Sequence, residues 1–329
     1  MHIFKNPNYN FMRWRWHAVA LSWIVILAGL GVIMTRGLPR GIEFAGGTSV
    51  IAQFDTAPSV EAVRGALNAN YPGGGQDAIV QTYGDPSQRQ VMVRVPQVGA
   101  EAGGALSTTA TAVEAALRNG GLGNFQVVGT EIVGPAVGGE LTRKGIYAFL
   151  ASLAGILAYI AFRFQFSFAL GAVVATIHDV LVTLAFLAFF QYDITLNVIA
   201  AILTVTGYST NDTIVIFDRV RENLRTKRRD SLMEVINASL NQTLGRTVIT
   251  AGTALLSALA LFIFGGEVLR GFAFTMTVGI ITGTYSSIFV AAAIVTFWRR
   301  TGTRSVAEAT PAPAASRRSR SQRKAQQAS

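Results

Sequence analysis

Asn197–Phe217 reads NVIAAILTVTGYSTNDTIVIF, a run of 21 residues. As a helix rising 1.5 Å per residue it extends about 30 Å, the thickness of a bilayer's hydrocarbon core. It nevertheless carries Asp212 a turn or two from its far end. An ionised aspartate at the centre of a spanning helix costs roughly 2.5–3.5 kcal/mol on insertion scales. A group that expensive needs a partner, a water path or a proton to exchange. The stretch therefore predicts a membrane-crossing helix that carries chemistry.

The rest of the chain agrees with a membrane setting. Half of its 329 residues are hydrophobic and 14% are charged, against roughly 25% charged in a soluble domain. Apolar runs near 18–34, 145–162, 168–190, 194–217, 247–264 and 271–298 all reach spanning length. The expected fold is a polytopic α-helical membrane protein with six transmembrane helices. Its parts are an N-terminus at 1–17, a first helix at 18–34 and a hydrophilic insertion at 35–142. Helices two to six then occupy 143–298, with a loop at 218–245, before a basic tail at 299–329. The tail is rich in Ala, Ser, Pro, Arg and Gln, a composition that predicts disorder. Arg13 and Arg15 precede the first apolar run, but no small-residue cleavage site comes before Thr35, so an uncleaved anchor is expected.

Charge sets the orientation. The net charge is +10, and Arg219, Arg221, Arg225, Lys227, Arg228 and Arg229 lie between the fourth and fifth runs. Arg299, Arg300, Arg304, Arg317, Arg318, Arg320, Arg323 and Lys324 follow the sixth, whereas the loops 191–193 and 265–270 hold Arg270 alone. Positive residues stay inside, so both termini and 218–245 are expected in the cytoplasm and 35–142 outside it. Topology and attraction to anionic membrane lipid account for the basic content, and no nucleic acid is implied.

Catalytic signatures are missing from the sequence. There are no cysteines, and His2, His17 and His178 are too scattered for a common zinc site. No phosphate-cradling G-x-x-x-x-G-K-[ST] occurs, and Gly73–Gly75 and Gly120–Gly123 read as turns. No metal, cofactor or enzymatic activity is expected; work must draw on an ion gradient or a partner.

The insertion reads as a small folded domain. Strand-like runs at Thr48–Phe54, Ala78–Tyr83, Gln90–Val95 and Phe125–Val133 alternate with two helical patterns. One helix is marked by Val60, Val63, Ala66 and Leu67, the other, at 105–118, by Val113, Ala116 and Leu117. The order βαββαβ predicts a ferredoxin-like α+β domain with one sheet face left open, as a binding surface or as a rigid spacer. In 218–245, Ser231 and Glu234 form a capping-box pattern ahead of Leu232, Val235, Ile236 and Leu240. That predicts a helix lying on the inner membrane surface, or docking a partner.

Polar residues recur at helical spacing inside the apolar runs. Thr204, Tyr208 and Asn211/Asp212 do so on the fourth, and Arg246, Thr250, Thr253 and Ser257 on the fifth. Thr176, Asp179 and Thr183, with His178 beside them, mark the third; Thr275, Gly279, Thr282 and Ser286 mark the sixth. The simplest packing points all four faces at a shared interior. Asp212 and Arg246 then fall in the same half of the membrane, where an ion pair could release and recapture a proton. Asp179 is a further candidate, though His178 and Asp179 could be a structural pair, and Gly279-x-x-x-Gly283 is a close-packing signature.

Several of these stretches match a known pattern. Gly207–Asn223 (GYSTNDTIVIFDRVREN) closely resembles the fourth-span signature of the SecF branch of the SecD/SecF protein-export family. Gly41–Thr48 (GIEFAGGT) is similar to that family's passage into its periplasmic domain, with Glu43 where aspartate is usual. His178–Val180 matches its third span and Arg246–Thr250 its fifth, and the likeness runs in order over residues 4–298. The resemblance implies an auxiliary subunit of the Sec translocase that pairs with SecD into a twelve-span assembly like resistance-nodulation-division (RND) transporters. It implies association with the SecYEG channel, often with YidC and YajC, and contact of unfolded preprotein with the periplasmic domain. It further implies that proton flow drives translocation across the inner membrane, with Asp212 and Arg246 at the proton-coupling positions. Other readings are half of a proton-driven small-molecule exporter, and a non-transporting translocon scaffold.

Overall fold

The computed structural model describes residues 7–72, 74–76, 78–95, 104–163, 166–227 and 229–296. Gly73 of the first glycine turn and the whole basic tail at 299–329 lie outside the described residues, as does Arg228.

The chain enters through helix α1, Arg15–Arg36, which ends where Gly37 adopts φ +76°, a conformation that favours glycine. A one-turn helix α2, Ile42–Ala45, leads into the inserted domain. There β1 (Gly47–Phe54), α3 (Val60–Asn70), β2 (Ile79–Tyr83), β3 (Gln90–Val95), α4 (Gly104–Asn119) and β4 (Phe125–Val133) follow in the expected order. All strand pairs are antiparallel and the sheet order is β2-β3-β1-β4. Alternation decides the faces: Val50, Ala52, Phe54, Val91 and Val93 point at α3 and α4 and meet Val63, Leu67, Val113 and Leu117 in one core.

The opposite sheet face is open only in part: Ile79, Gln126 and Glu131 on it are exposed. Met92 and Arg94 on it are buried, because Phe190–Asp193 and Val268–Gly271 from the membrane helices sit against that face around a cleft of about 330 Å³.

Five further helices follow: α5 (Pro135–Arg163), α6 (Phe166–Phe189), α7 (Leu196–Thr226), α8 (Leu232–Phe264) and α9 (Gly266–Ser286). A π-helical turn, Ser287–Ala291, continues α9. Among the described residues, five helices are long and apolar enough to cross a membrane: Arg15–Arg36, Val137–Arg163, Phe166–Phe189, Leu232–Phe264 and Val268–Thr296. The expectation was six. The helix that falls short is α7, because the polar stretch from Thr204 to Thr213 interrupts its apolar run. It packs nonetheless against α5, α6, α8 and α9.

The loop expected at 218–245 shrinks to the few residues between Thr226 and Leu232. The Ser231/Glu234 capping box forms, but it starts one unbroken 33-residue helix rather than a separate surface helix. The apolar stripe is explained differently too. Ile236 and Leu240 bury themselves with Met12, Ile216, Phe217 and Val220. Met12 belongs to an N-terminal strap held by two asparagines one turn apart. Tyr9 N donates to Asn241 Oδ1 and Asn241 Nδ2 donates to Tyr9 O, both at 2.8 Å. Met12 N donates to Asn237 Oδ1 at 3.1 Å, and Asn237 Nδ2 to Asn10 Oδ1 at 2.9 Å.

The strap and the α7–α8 turn thus share one end of the bundle, while the inserted domain meets the α6–α7 loop and the start of α9 at the other. Between the ends, Gly279 and Gly283 bring α9 close to α7. A Cβ at Gly279 would fall 2.4 Å from a Val205 methyl, and one at Gly283 would fall 2.8 Å from Ser209 Cβ. The close-packing reading of Gly279-x-x-x-Gly283 therefore holds.

Candidate functional site

Helix α6 carries the centre of the site. Asp179 lies ten residues from Phe189, about 15 Å along the axis and half the depth of a hydrocarbon core. Its side chain is buried, with 1% of its surface exposed. Three donors surround it. Ser209 Oγ on α7 and Ser286 Oγ on α9 donate to Oδ2 at 2.5 and 2.8 Å. His178 Nδ1 lies 3.0 Å from Oδ1. Both carboxylate oxygens are thereby satisfied, and one residue ties three helices. Thr176 and Thr183 flank it on the same buried face of α6, as the spacing predicts. The face of α9 does the same, with Thr275, Thr282 and Ser286 all buried.

Helix α7 contributes a different face from the one expected. Thr206, Ser209, Thr210 and Thr213 point inward and are buried, whereas Thr204 and Asn211 are exposed and Tyr208 is half-buried. The cause lies in the sequence: α7 is polar nearly all round between Thr204 and Thr213, so its pattern fits two interfaces. Helix α8 repeats this. Thr243 and Thr247 face inward, while Arg246, Thr250, Thr253 and Ser257 are exposed. The exposed hydroxyls are satisfied locally: Thr204 donates to Ala200 O at 2.7 Å and Thr250 to Arg246 O at 2.8 Å.

Asp212 stands between the inner and outer faces. Sixteen residues from Leu196, it lies about 24 Å along α7 from the end nearest the inserted domain. Thr247 Oγ1 donates to its Oδ1 at 2.7 Å, but Oδ2 is buried with no hydrogen-bond partner. Ser287 lies close by yet gives its proton elsewhere, being 2.9 Å from both Gly283 O and Thr213 Oγ1. Leaving a buried carboxylate oxygen without a donor is costly. His178 Nε2 is orphaned in the same way.

The expected Asp212–Arg246 ion pair is not formed. Among the described residues Arg246 makes no ion pair within 4.0 Å and is exposed. The residue instead borders an open cleft of about 470 Å³ with Arg219, Asp218, Glu222 and Gln242. The site thus has a closed half around Asp179 and an unfinished half, where Asp212 keeps one orphaned oxygen and Asn211 and Arg246 are exposed. The hydroxyls of Ser209 and Thr247 are what the sequence reading missed. The turn-by-turn polarity of α7 was the available signal, since it marks a second face.

No group of three or more His, Asp or Glu side chains able to hold a metal occurs among the described residues.

Comparison with known proteins places this arrangement. Residues 112–301 match the family model for the C-terminal part of the protein export membrane proteins SecD/SecF, and residues 31–58 match the SecD/SecF GG motif. The protein translocase subunit SecF of Desulfurispirillum indicum is 44% identical over 292 residues, covering 88% of this chain and 91% of the relative. That of Escherichia coli O157:H7 is 40% identical over 286 residues, covering 87% and 86%. Among solved structures, SecDF from Thermus thermophilus, a translocon-associated membrane protein, superposes with a TM-score of 0.79 at 35% identity. The match covers 90% of this chain but spans 39% of the solved one. SecDF in a super-membrane-facing form matches at a TM-score of 0.67 and 34% identity, over 93% of this chain and 41% of the other.

Proposed function

The chain belongs to the SecD/SecF family of protein-export membrane proteins, and from that premise we propose that it is one half of a proton-driven accessory to the Sec translocase. Paired with a SecD-like half, it uses the proton gradient to promote preprotein translocation across the bacterial inner membrane. It is a multi-pass membrane protein. In this reading α7 is the sixth span, made tolerable in lipid by the second half that covers its outer polar face. The inserted βαββαβ domain is ferredoxin-like, supported by the order β2-β3-β1-β4. Residues 35–142 stand in the periplasm, and 1–17 and 299–329 in the cytoplasm.

The observation that carries the proposal is the unfinished half of the site. An exposed arginine within a membrane helix, making no ion pair within 4.0 Å among the described residues, leaves room for a carboxylate from the covering half. Asp212, with one oxygen orphaned, is the group placed to take and give up a proton, and Asp179 is the fixed hub on which α6, α7 and α9 pivot. A proton moving through the full field gains about 2.3 kcal/mol per 100 mV, comparable to the few hydrogen bonds that would rearrange around Asp212. SecYEG, with YidC and YajC, and the unfolded preprotein are the partners such an accessory would serve.

Asp212→Asn tests the reading in membrane vesicles containing the assembled translocase. The gradient-dependent part of preprotein export is expected to disappear while the SecD-like half still copurifies. Unchanged export would leave only a scaffold, and drug sensitivity without an export defect would point to an exporter half.

A further inference from the structure

One contact between the inserted domain and the membrane helices is a largely buried ion pair. Arg94, in the middle of the sheet on β3, reaches out of its buried face. Its Nη2 meets Asp193 Oδ2 at 3.0 Å, with side-chain exposures of 7% and 18%. Its Nη1 donates to the Arg40 carbonyl at 3.1 Å. The backbone beneath is bonded as well. Arg40 and Ile194 form a parallel bridge, with Gly41 N donating to Ile194 O at 2.7 Å and Ile194 N to Pro39 O at 2.8 Å. Gly41 has no room for a side chain, since a Cβ there would fall 2.8 Å from the Ile194 carbonyl.

The position of Asp193 gives this contact its significance. It sits in the short link between α6 and α7, the helices that carry Asp179 and Asp212. A rotation or slide of either helix against the other moves this link first. A charged, largely buried pair with a hydrogen-bonded backbone bridge resists shear better than an apolar patch, because slipping would leave largely buried charges unpaired. We propose that Arg94 and Asp193 are positioning residues for gradient-driven export: they form a rigid joint that carries movement of α6 and α7 into the extracytoplasmic sheet. The joint stays closed through the cycle. The inference rests on the proton-coupled reading above.

The absence of cysteine from the chain allows a direct test in the assembled translocase. Asp193→Asn and Arg94→Gln, each alone, are expected to lower gradient-stimulated export about tenfold, a coupling change of the size usual for residues on a transmission route, with the complex still assembling. Arg40→Cys with Ile194→Cys places two thiols on residues opposed across a bridge, roughly 5 Å apart at Cα and within disulfide reach. Oxidised, that pair alone is expected to export normally. Added to Asp193→Asn, it is expected to restore stimulation, and reduction is expected to abolish the rescue. Normal export by Asp193→Asn would overturn the joint, as would arrest by the disulfide alone, or a disulfide that forms without rescue. Asp212→Asn run beside these variants separates the two proposals: if it alone loses stimulation, coupling stands and the joint falls.

Discussion

Substituting Gly279 with alanine probes the packing that holds the site together. The added Cβ would lie 2.4 and 2.5 Å from the two γ carbons of Val205, where real Cβ contacts stay beyond 3.0 Å. Rotating Val205 offers little relief, because it is β-branched and its side chain is nearly fixed in a helix. It is also 2% exposed, with no space to retreat into. The helices must therefore separate by about half an ångström, loosening dispersion contacts along the whole α7–α9 seam. Overpacking of this kind costs about 1–3 kcal/mol. Val205→Ala removes both offending carbons and leaves only a Cβ at 3.0 Å. In a double-mutant cycle it is expected to return on the order of 1 kcal/mol of the loss. Equilibrium unfolding in mixed micelles reads all four corners of the cycle. A Gly279→Ala chain as stable as the parent, or a cost indifferent to Val205→Ala, would refute the geometry.

Three other outcomes follow from individual contacts. Thr247→Val removes the hydroxyl that donates to Asp212, a bond of about 0.5–3 kcal/mol across the two protonation states of its acceptor; export should then require a different external pH for half-maximal stimulation, and an unmoved pH profile would contradict the contact's role. Asn241→Ala cuts both bonds to Tyr9, so limited proteolysis should cleave ahead of Met12 much faster than in the parent; equal rates would mean the strap is held elsewhere. At the β2–β3 turn, bonds from Ser87 hold the Asp85 carboxyl below the usual carboxylate range. The order they confer is complete above the ordinary aspartate pKa of about 3.9 and is lost as pH falls through the lowered value; an Asp85 midpoint seen by NMR at or above the ordinary value would oppose this.

Legibility in the sequence varied with the range of the interaction. The strands of the insertion could be read almost to the residue, β3 and β4 at their observed limits, since period-two alternation is written locally. The face of α6 around Asp179 was legible for the same reason. Helix α7 was not, because Thr204, Tyr208 and Asn211 make as good a polar face as Thr206, Ser209 and Thr213, and no local rule ranks them. Pairing Asp212 with Arg246 was the natural inference from one chain. It failed because Thr247, the next residue, is the one aimed inward. Asn237 and Asn241, one turn apart beside an apolar stripe, were a signal for the strap that only the fold makes readable. The Arg94–Asp193 joint spans 99 residues and left no local trace.

Proton exchange at Asp212 is the claim on which the functional account stands. Isotope-edited infrared difference spectroscopy of the assembled complex, with and without an imposed proton gradient, observes that carboxyl directly. The account predicts a protonated-carboxyl band that changes with the gradient and vanishes in Asp212→Asn. A spectrum in which Asp212 keeps one protonation state while export proceeds would contradict it.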